Sequence, residues 1–455
     1  MSQLVRVAVR MYQVGFGDCF LLSFEYDGPV PPGNRRERHM LVDFGRNRTP
    51  HHGGNMAEVA RSIKERTGGQ LDVIVVTHRH EDHLSAFGQK AVARIIGECN
   101  PRLVVRSWTE DPALGSDAGR PSLTADRRYL DGIDAARAFA AQVAAGFSLD
   151  NTAAGRRLRT AAETDIANRA AVDQLTAWGD AAVPEYLHVG KASSIGRIIP
   201  GVRFELAGPP LPSAYPPIAR QVEDHPDEFW NLWRRRLPLA LAGALAAAED
   251  ELSGDGGGAG QGDSRRFDAP GEIGPVGWLT DKVRRQQVPS LLRIVRWLDD
   301  VMNNTSVVLL IRAGDRRLLF PGDAQLESWR WITTDSPRAR RTRRQLAQLD
   351  LYKVGHHGSR NATPRTSLYR LWTPDGGPVR PVLSLMSTRE DVYGESDDTD
   401  VPNPKLITGL STAPMRLLST LQDKDRDDGI LAYEVAAPAR GPGAFEVQAP
   451  VLRPV

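Results

Sequence analysis

One stretch constrains this chain more than any other: Val75-Val-Thr-His-Arg-His-Glu-Asp-His83, where His78, His80, Asp82 and His83 fill six positions directly after an apolar β-branched run. The chain has only ten histidines in 455 residues. Three of them beside an aspartate in one hexapeptide form a metal-ligand pattern, not a scatter of solvated imidazoles. On extended backbone, residues two apart point to the same side. His78 and His80 can therefore hold one cation, after which the chain turns and Asp82 with His83 can face a second. Imidazole and carboxylate without thiolate suit Zn²⁺, and also Mn²⁺ or Fe²⁺. The two cysteines, Cys19 and Cys99, have no CxxC partner and cannot build a disulfide framework.

Two later motifs complete a binuclear set. Leu318-Leu-Phe-Pro-Gly-Asp-Ala324 reads as a strand ending on Asp323 after a glycine that lets the backbone bend, the posture of a carboxylate at a sheet edge, and Asp323 is expected to bridge the ions. Tyr352-Lys-Val-Gly-His-His-Gly-Ser359 follows another short strand. One of its histidines closes the second site while the other contacts substrate or donates a proton. His357 is the favoured ligand and His356 the favoured neighbour.

Around these motifs the apolar periodicity predicts a sheet covered by helices. Residues 4–26 read as two strands around a Gly15–Gly17 turn, 39–45 as a strand, 56–67 as a helix and 71–76 as a buried strand. The segment 111–182, rich in Ala, Arg and Asp, reads as helices, and 185–207 returns to strand character. More helix is expected over 211–300, interrupted by 253–264, a Gly/Asp stretch too polar to pack and expected to be disordered. Strands resume at 306–311 and 317–320, followed by a helix at 324–331, a strand at 350–354, a helix at 363–371, and strands at 379–386, 416–420 and 430–435. Strand-rich ends and a helical middle predict one sandwich-like α/β domain over residues 1–455, with insertions at about 102–187 and 210–300.

Composition excludes several classes. Lys+Arg 58 against Asp+Glu 56 leaves a net charge of +2, so any surface for nucleic acid must be local. One local run exists, Arg338, Arg340, Arg341, Arg343 and Arg344, near Trp329 and Trp331; it reads as a strip that tracks phosphates with aromatics that stack bases, or as a solvated helix face beside core aromatics. Arg234 to Arg236 beside Trp230 and Trp233 carry the same two readings. The longest apolar run, 237–248, falls well short of the ~20 residues a membrane span needs. The N-terminus enters an alternating strand without an apolar leader segment, so a cytoplasmic protein with no membrane association is expected.

Six ordered motifs, Val14-Gly-Phe-Gly-Asp18, Leu41-Val-Asp-Phe-Gly45, Thr77-His-Arg-His-Glu-Asp-His83, Asn303-Asn-Thr-Ser306, Gly322-Asp323 and Lys353-Val-Gly-His-His-Gly-Ser359, resemble the metallo-β-lactamase superfamily. Within it, they are most similar to the branch typified by the hydrolase domain of the competence DNA-uptake (ComEC) family. The resemblance spans residues 1 to about 435 and leaves 102–187 and 210–300 uncovered. It implies an αββα sandwich with two divalent ions, Zn²⁺ or Mn²⁺, at one edge of the two sheets. It also implies Asp43 as an acid orienting a ligating histidine, with Asp18 either orienting the same loop or capping a turn. Many superfamily members supply a further histidine to the first ion; of the two in the interval, His188 after Glu185-Tyr-Leu is the better candidate, and His225 in its acidic context reads as a surface residue. Tyr393-Gly-Glu395, followed by Val401-Pro-Asn-Pro404, lacks the histidine that related sequences carry there.

The activity implied is metal-dependent hydrolysis by a hydroxide held between the ions, with Asp82, His356 and Lys353 in catalytic roles. Lys353, His356 and Ser359 offer donors to a phosphoryl oxygen. A phosphodiester in nucleic acid or a nucleotide is the leading substrate. Two rivals stand beside it: acyl hydrolysis of a lactone, thioester or lactam, and a non-catalytic, metal-stabilised module whose helical insertions bind a partner protein.

Overall fold

The computed structural model describes residues 2–47, 55–111, 126–127, 129–130, 133, 168–181, 184–219, 225, 227–230, 301–374, 381–389, 400–423 and 430–452. Most of the two expected insertions, including 253–264, together with residues 51–54, Arg234 to Arg236, Trp233 and Tyr393-Gly-Glu395, lies outside these residues.

The described chain is mixed α/β, with two mixed sheets and helices. One sheet has nine strands: β1 (Leu4–Tyr12), β2 (Cys19–Val30), β3 (Arg35–Phe44), β4 (Val73–Val75), β5 (Leu103–Ser107), β6 (Pro184–Leu187), β13 (Ile430–Pro438), β14 (Glu446–Val447) and β15 (Val451–Leu452). Their order is β14-β13-β1-β2-β3-β4-β5-β6, with β15 also paired to β13. The other sheet has six: β7 (Val202–Gly208), β8 (Val308–Ala313), β9 (Arg316–Phe320), β10 (Leu351–Lys353), β11 (Leu383–Met386) and β12 (Arg416–Ser419), in the order β12-β11-β10-β9-β8-β7. Helices α1 (Met56–Arg66), α2 (Glu81–Leu84), α3 (Lys90–Gly97), α4 (Arg169–Ala181), α5 (Ile195–Ile198), α6 (Leu326–Arg330), α7 (Ala339–Leu346) and α8 (Pro404–Ser411) fill the connections.

Period-two alternation decides which side chains meet. Val7, Val9, Met40, Val42, Val73 and Val75 of the first sheet share one core with Leu309, Ile311, Leu318, Phe320, Leu351 and Leu385 of the second. The alternate residues face outward: Leu41, Ile74 and Val76 pack on Val59 and Ile63 of α1 and on Val92 and Ile96 of α3. On the six-stranded sheet, Leu310, Leu319 and Tyr352 meet Trp329 of α6, Leu346 of α7, and Leu406 and Leu410 of α8. β4 has only three residues and few ladder bonds. It is held because both faces are buried, each enclosed Val or Ile contributing about 1.5–3 kcal/mol.

Parallel pairing aligns the strand ends. In the first sheet β3, β4, β5 and β6 run parallel, with Leu41 opposite Ile74 and Ile74 opposite Val104. In the second β9, β10, β11 and β12 do the same, with Leu351 opposite both Leu318 and Leu383. The carboxyl ends of β3, β4, β9, β10 and β11 thus converge on one edge, where loops rather than ladders carry the chain.

Two expectations are corrected. No continuous helix forms over 363–371; only Tyr369–Trp372 makes a 3₁₀ turn. Arg365 N–H goes to the Glu228 carbonyl, and Thr366 and Ser367 N–H go to the Glu228 carboxylate (2.8 and 3.0 Å), satisfying first-turn donors, but Tyr369 and Arg370 N–H reach back five residues, to the carbonyls of Pro364 and Arg365, and the α-helical ladder does not propagate. β11 begins at Leu383, later than the expected 379, because its partners β10 and β12 offer register only from Leu351 and Arg416 onward.

Candidate metal centre

The turn after β4 brings His78 and His80 into contact, with His78 Nε2 lying 3.0 Å from His80 Nδ1, and both rings are buried. His80 is the extended residue from which α2 starts, so Asp82 and His83 project from its single turn. Backbone fit holds this turn in place. A Cβ on Gly45 would lie 2.5 Å from the Glu81 carbonyl oxygen and from Leu84 N, so only glycine lets the end of β3 press against α2. Asp18 N–H donates to the Asp82 carbonyl (2.9 Å), and Gly45 N–H donates to the Asp18 carbonyl (3.0 Å).

Asp323 leaves β9 after Gly322, whose φ of +57° and close neighbours, Thr77 Cβ and Ser306 Cβ at 2.8 and 2.9 Å from an added Cβ, exclude a side chain. Beyond β10 the chain turns through two consecutive left-handed residues, His356 (φ 43°) and His357 (φ 50°). Non-glycine residues adopt this conformation at a cost of about 1–3 kcal/mol each and cluster where function demands them. The turn aims the His357 ring inward and the His356 N–H at Asp323 Oδ1 (3.0 Å).

Four groups from distant parts of the chain meet here. His83 Nε2 lies 3.0 Å from Asp323 Oδ2, and His357 Nε2 lies 3.0 Å from Asp82 Oδ2. His83 Nε2 to Asp82 Oδ1 is 3.8 Å, and His357 Nε2 to Asp323 Oδ2 is 3.9 Å. Asp18 stands on the far side of both rings, 3.6 Å from His83 Nδ1 and 3.7 Å from His357 Nδ1. Ligand atoms of Asp18, His83, Asp323 and His357 all lie within 4.8 Å of one another, and this buried group could hold a metal ion.

The surroundings fix the rings. Asp43, itself left-handed (φ 57°), accepts from Thr77 N–H (2.7 Å), from the Thr77 hydroxyl (2.8 Å) and from His83 Nδ1 (2.9 Å). His357 Nδ1 donates to the Ser387 carbonyl (2.9 Å). With their Nδ1 atoms engaged, both rings turn Nε2 toward the carboxylates. Lys353 is buried, and its ammonium is shared among Asp18, Asp323 Oδ1 (3.4 Å) and the Gly322 carbonyl (3.2 Å).

Electrostatics follow from this crowding. Burial alone would raise Asp323, but His83 and then Lys353 hold it well below the ordinary carboxylate range. Asp82 is likewise depressed, burial being overcome by His83 and His357. Burial would lower His83, yet Asp323, Asp43 and Asp82 push it well above 6.5. His357 is raised in the same way, chiefly by Asp18 and the hydrogen bond to Asp82. His78 is driven down by burial and by the neighbouring His83 and His80. Burial also lowers His356 to about 4, leaving that ring neutral at pH 7. Asp18 is raised, desolvation outweighing Lys353.

Of the residues singled out in the sequence, His78, His80, Asp82, His83, Asp323, His357, Asp43, Asp18, Lys353, His356 and Ser359 gather at this edge. Lys353, expected in a catalytic role, has its ammonium donors engaged by Asp18, Asp323 and the Gly322 carbonyl. The partly buried His356 ring meets Ser359 Oγ (2.9 Å), outside the four-group cluster. His188 is not brought in; its Nδ1 meets the carbonyl of Val189 (2.8 Å), and no contact joins it to the cluster among the described residues. His225, expected at the surface, is partly buried, with Nδ1 shielded from solvent and without a hydrogen-bond partner among the described residues; its carbonyl accepts from Phe229 N–H (2.9 Å). Asn403 caps α8 by accepting from Lys405 and Leu406 N–H.

Three supporting groups were not singled out. Thr77 fills two acceptor positions on Asp43, Ser306 Oγ accepts from Asp323 N–H (3.1 Å), and the Ser387 carbonyl orients His357. Thr77 and Ser306 sit inside recognisable motifs; a backbone carbonyl leaves no mark in sequence. Trp329 is a fully buried core residue, donating to the carbonyls of Ala324 and Ala362, not a stacking platform.

No protein-family model matches this chain, and no match is found among the curated proteins. Among the described residues, no helix is long and apolar enough to cross a membrane.

Proposed function

We propose that this chain is a metal-dependent hydrolase with an αββα metallo-β-lactamase-type sandwich, acting on phosphodiesters. The observation that carries the proposal is the meeting of Asp82, His83, Asp323 and His357. Ligands 2.0–2.1 Å from a tetrahedral ion lie about 3.3–3.4 Å apart, and the distances of Asp323 Oδ2 from the two imidazole nitrogens, 3.0 Å to His83 Nε2 and 3.9 Å to His357 Nε2, bracket that value. Asp82 Oδ1 supports the fit, being buried without a hydrogen-bond partner. Asp18 would then serve the rings from behind rather than ligate, since Lys353 already neutralises it.

Charge supports a divalent occupant. Four buried carboxylates, from Asp18, Asp43, Asp82 and Asp323, face the single ammonium of Lys353. The raised His83 and His357 let protons fill the deficit until a cation displaces them. His78 Nε2 and His80 Nδ1 would offer donors to a second ion, while Asp323 Oδ1 is engaged by Lys353 and the His356 N–H. Zn²⁺ and Mn²⁺ both suit this donor set.

When bound, such ions supply Lewis acidity, activating water near neutral pH and stabilising charge on the ester oxygens. The protein's own share is positioning. Asp43 and Ser387 keep the rings aligned, and Lys353 holds Asp323 in place. The neutral, partly exposed His356 offers a proton-exchanging nitrogen beside the cluster, with Ser359 fixing Nδ1.

The test is to assay the metal-loaded protein on bis-p-nitrophenyl phosphate, single-stranded DNA and a generic carboxylic ester, with Asp82→Ala/His83→Ala as control. Phosphodiester turnover lost in the control supports the proposal. Turnover of the carboxylic ester alone replaces it with acyl hydrolysis, and silence on all three with a metal-stabilised binding module.

A further inference from the structure

Helix α7 has the sequence Ala-Arg-Arg-Thr-Arg-Arg-Gln-Leu, preceded by Arg338. Its inward side is small: Ala339, Thr342 and Leu346 are buried. Arg338, Arg340, Arg341, Arg343 and Arg344 are all exposed. Among the described residues, Arg341, which shares Glu205 with Gln345, is the member of the five with an ion pair, at 3.3 Å.

Taken alone, this arrangement works against the helix. Its first turn carries no acidic residue, so Arg340 and Arg341 sit at the positive end of the helix dipole. Arg340 lies three and four residues from Arg343 and Arg344, and Arg341 lies three from Arg344, spacings at which like charges repel on a helix surface. A solvated face with balanced charge would show interleaved acids, and this one has none. Among the described residues the Arg341–Glu205 pair is the compensation this helix has, and a rule broken with so little support marks a surface whose compensation comes from outside. An anionic partner removes the repulsion and the unfavourable dipole contact together.

The partner's chemistry follows from the side chains and their place. Guanidinium groups pair with phosphate through two parallel N–H donors, and an eight-residue helix presents them along ~12 Å, a span matching a short run of backbone phosphates. α7 lies in the connection between β9, which leads into Asp323, and β10, which leads into His356 and His357.

We infer that α7 is a docking strip for the phosphate backbone of a nucleic acid, so that the substrate is a polynucleotide rather than a small diester. The inference rests on the phosphodiesterase reading for its catalytic meaning. The binding itself is measured without metal, so the two fail separately.

The experiment is fluorescence anisotropy of a labelled 20-nucleotide single strand with the full chain in EDTA, between 50 and 200 mM salt. Engagement of about four phosphates gives a slope near −2.8 of log affinity on log salt, about a 50-fold weakening over that range. Arg340→Gln/Arg344→Gln lowers the slope by about 1.4. Both side chains are exposed and, among the described residues, make no contact with the Asp82, His83, Asp323 and His357 cluster, so hydrolysis of bis-p-nitrophenyl phosphate by the loaded variant stays at the wild-type rate. Affinity and salt slope unchanged in the variant overturn the inference. So does a wild-type protein that ignores the oligonucleotide, or that binds anionic vesicles through these arginines in its place.

Discussion

Replacing Asp43 by asparagine exchanges one carboxylate oxygen for an amide nitrogen, and the neighbouring donors decide which of the two positions the nitrogen takes. Asparagine tolerates the left-handed backbone at this position (φ 57°), so the turn survives. The buried Thr77 N–H, 2.7 Å from Oδ1, can only donate and therefore claims the amide oxygen. The amide nitrogen then occupies the Oδ2 position, 2.9 Å from His83 Nδ1. A donor there obliges His83 to offer its Nδ1 lone pair and to carry its proton on Nε2, the nitrogen 3.0 Å from Asp323 Oδ2. A protonated Nε2 cannot ligate. Losing such an orienting acid typically weakens metal binding 10–100-fold, about 1.4–2.7 kcal/mol. Turning the amide the other way leaves the Thr77 N–H facing a donor, at about 1–3 kcal/mol. Competition against a chromogenic chelator, with thermal unfolding of the metal-free protein alongside, reads both costs. An Asp43→Asn protein that binds Zn²⁺ as tightly as wild type and unfolds at the same temperature refutes the orienting role.

Gly322→Ala drives a Cβ to within 2.8 Å of Thr77 Cβ at a φ of +57°, and should cost at least 2 kcal/mol or so in urea unfolding; a loss below 0.5 or so would show that the turn can yield. Lys353→Met strands Asp18 and Asp323 without their buried cation and should destabilise the metal-free protein by about 3–5 kcal/mol, whereas a near-neutral change would return Lys353 to a substrate-facing role. His83 and His357 have raised values in the folded protein, so their contribution to metal-free stability is complete below 6.5 and fades as pH rises through the elevated folded values. Cation uptake must expel those protons, so affinity should climb with pH. Calorimetry in two buffers of different ionisation enthalpy should detect proton release, and an identical heat in both would contradict the assignment.

The sequence made the ligands legible because each is tethered to a strand end. His78–His83 follow β4, Asp323 follows β9 and His357 follows β10, and parallel pairing of β3–β6 and of β9–β12 places those ends on one edge. The choice of His357 over His356 agrees with a chain reversal through two left-handed residues. What stayed hidden depends on three-dimensional reach. Lys353 looks like a substrate contact in a linear motif, and only packing shows its ammonium pulled back between Asp18 and Asp323. The 363–371 segment has helical spacing, yet its later N–H groups bond five residues back instead of four, a choice of turn that the sequence pattern does not mark. His225 sits among polar neighbours in sequence yet is partly buried, its carbonyl accepting from Phe229 N–H.

Elemental analysis of the purified, dialysed protein against its Asp323→Ala and His357→Ala variants tests most directly whether the buried carboxylates and imidazoles form a cage for a cation. At least one equivalent of Zn²⁺ or Mn²⁺ per chain, falling sharply in both variants while their far-ultraviolet dichroism stays native, is the predicted result. A wild-type protein without transition metal, even after incubation with either ion, or one whose variants keep the full complement, would contradict it.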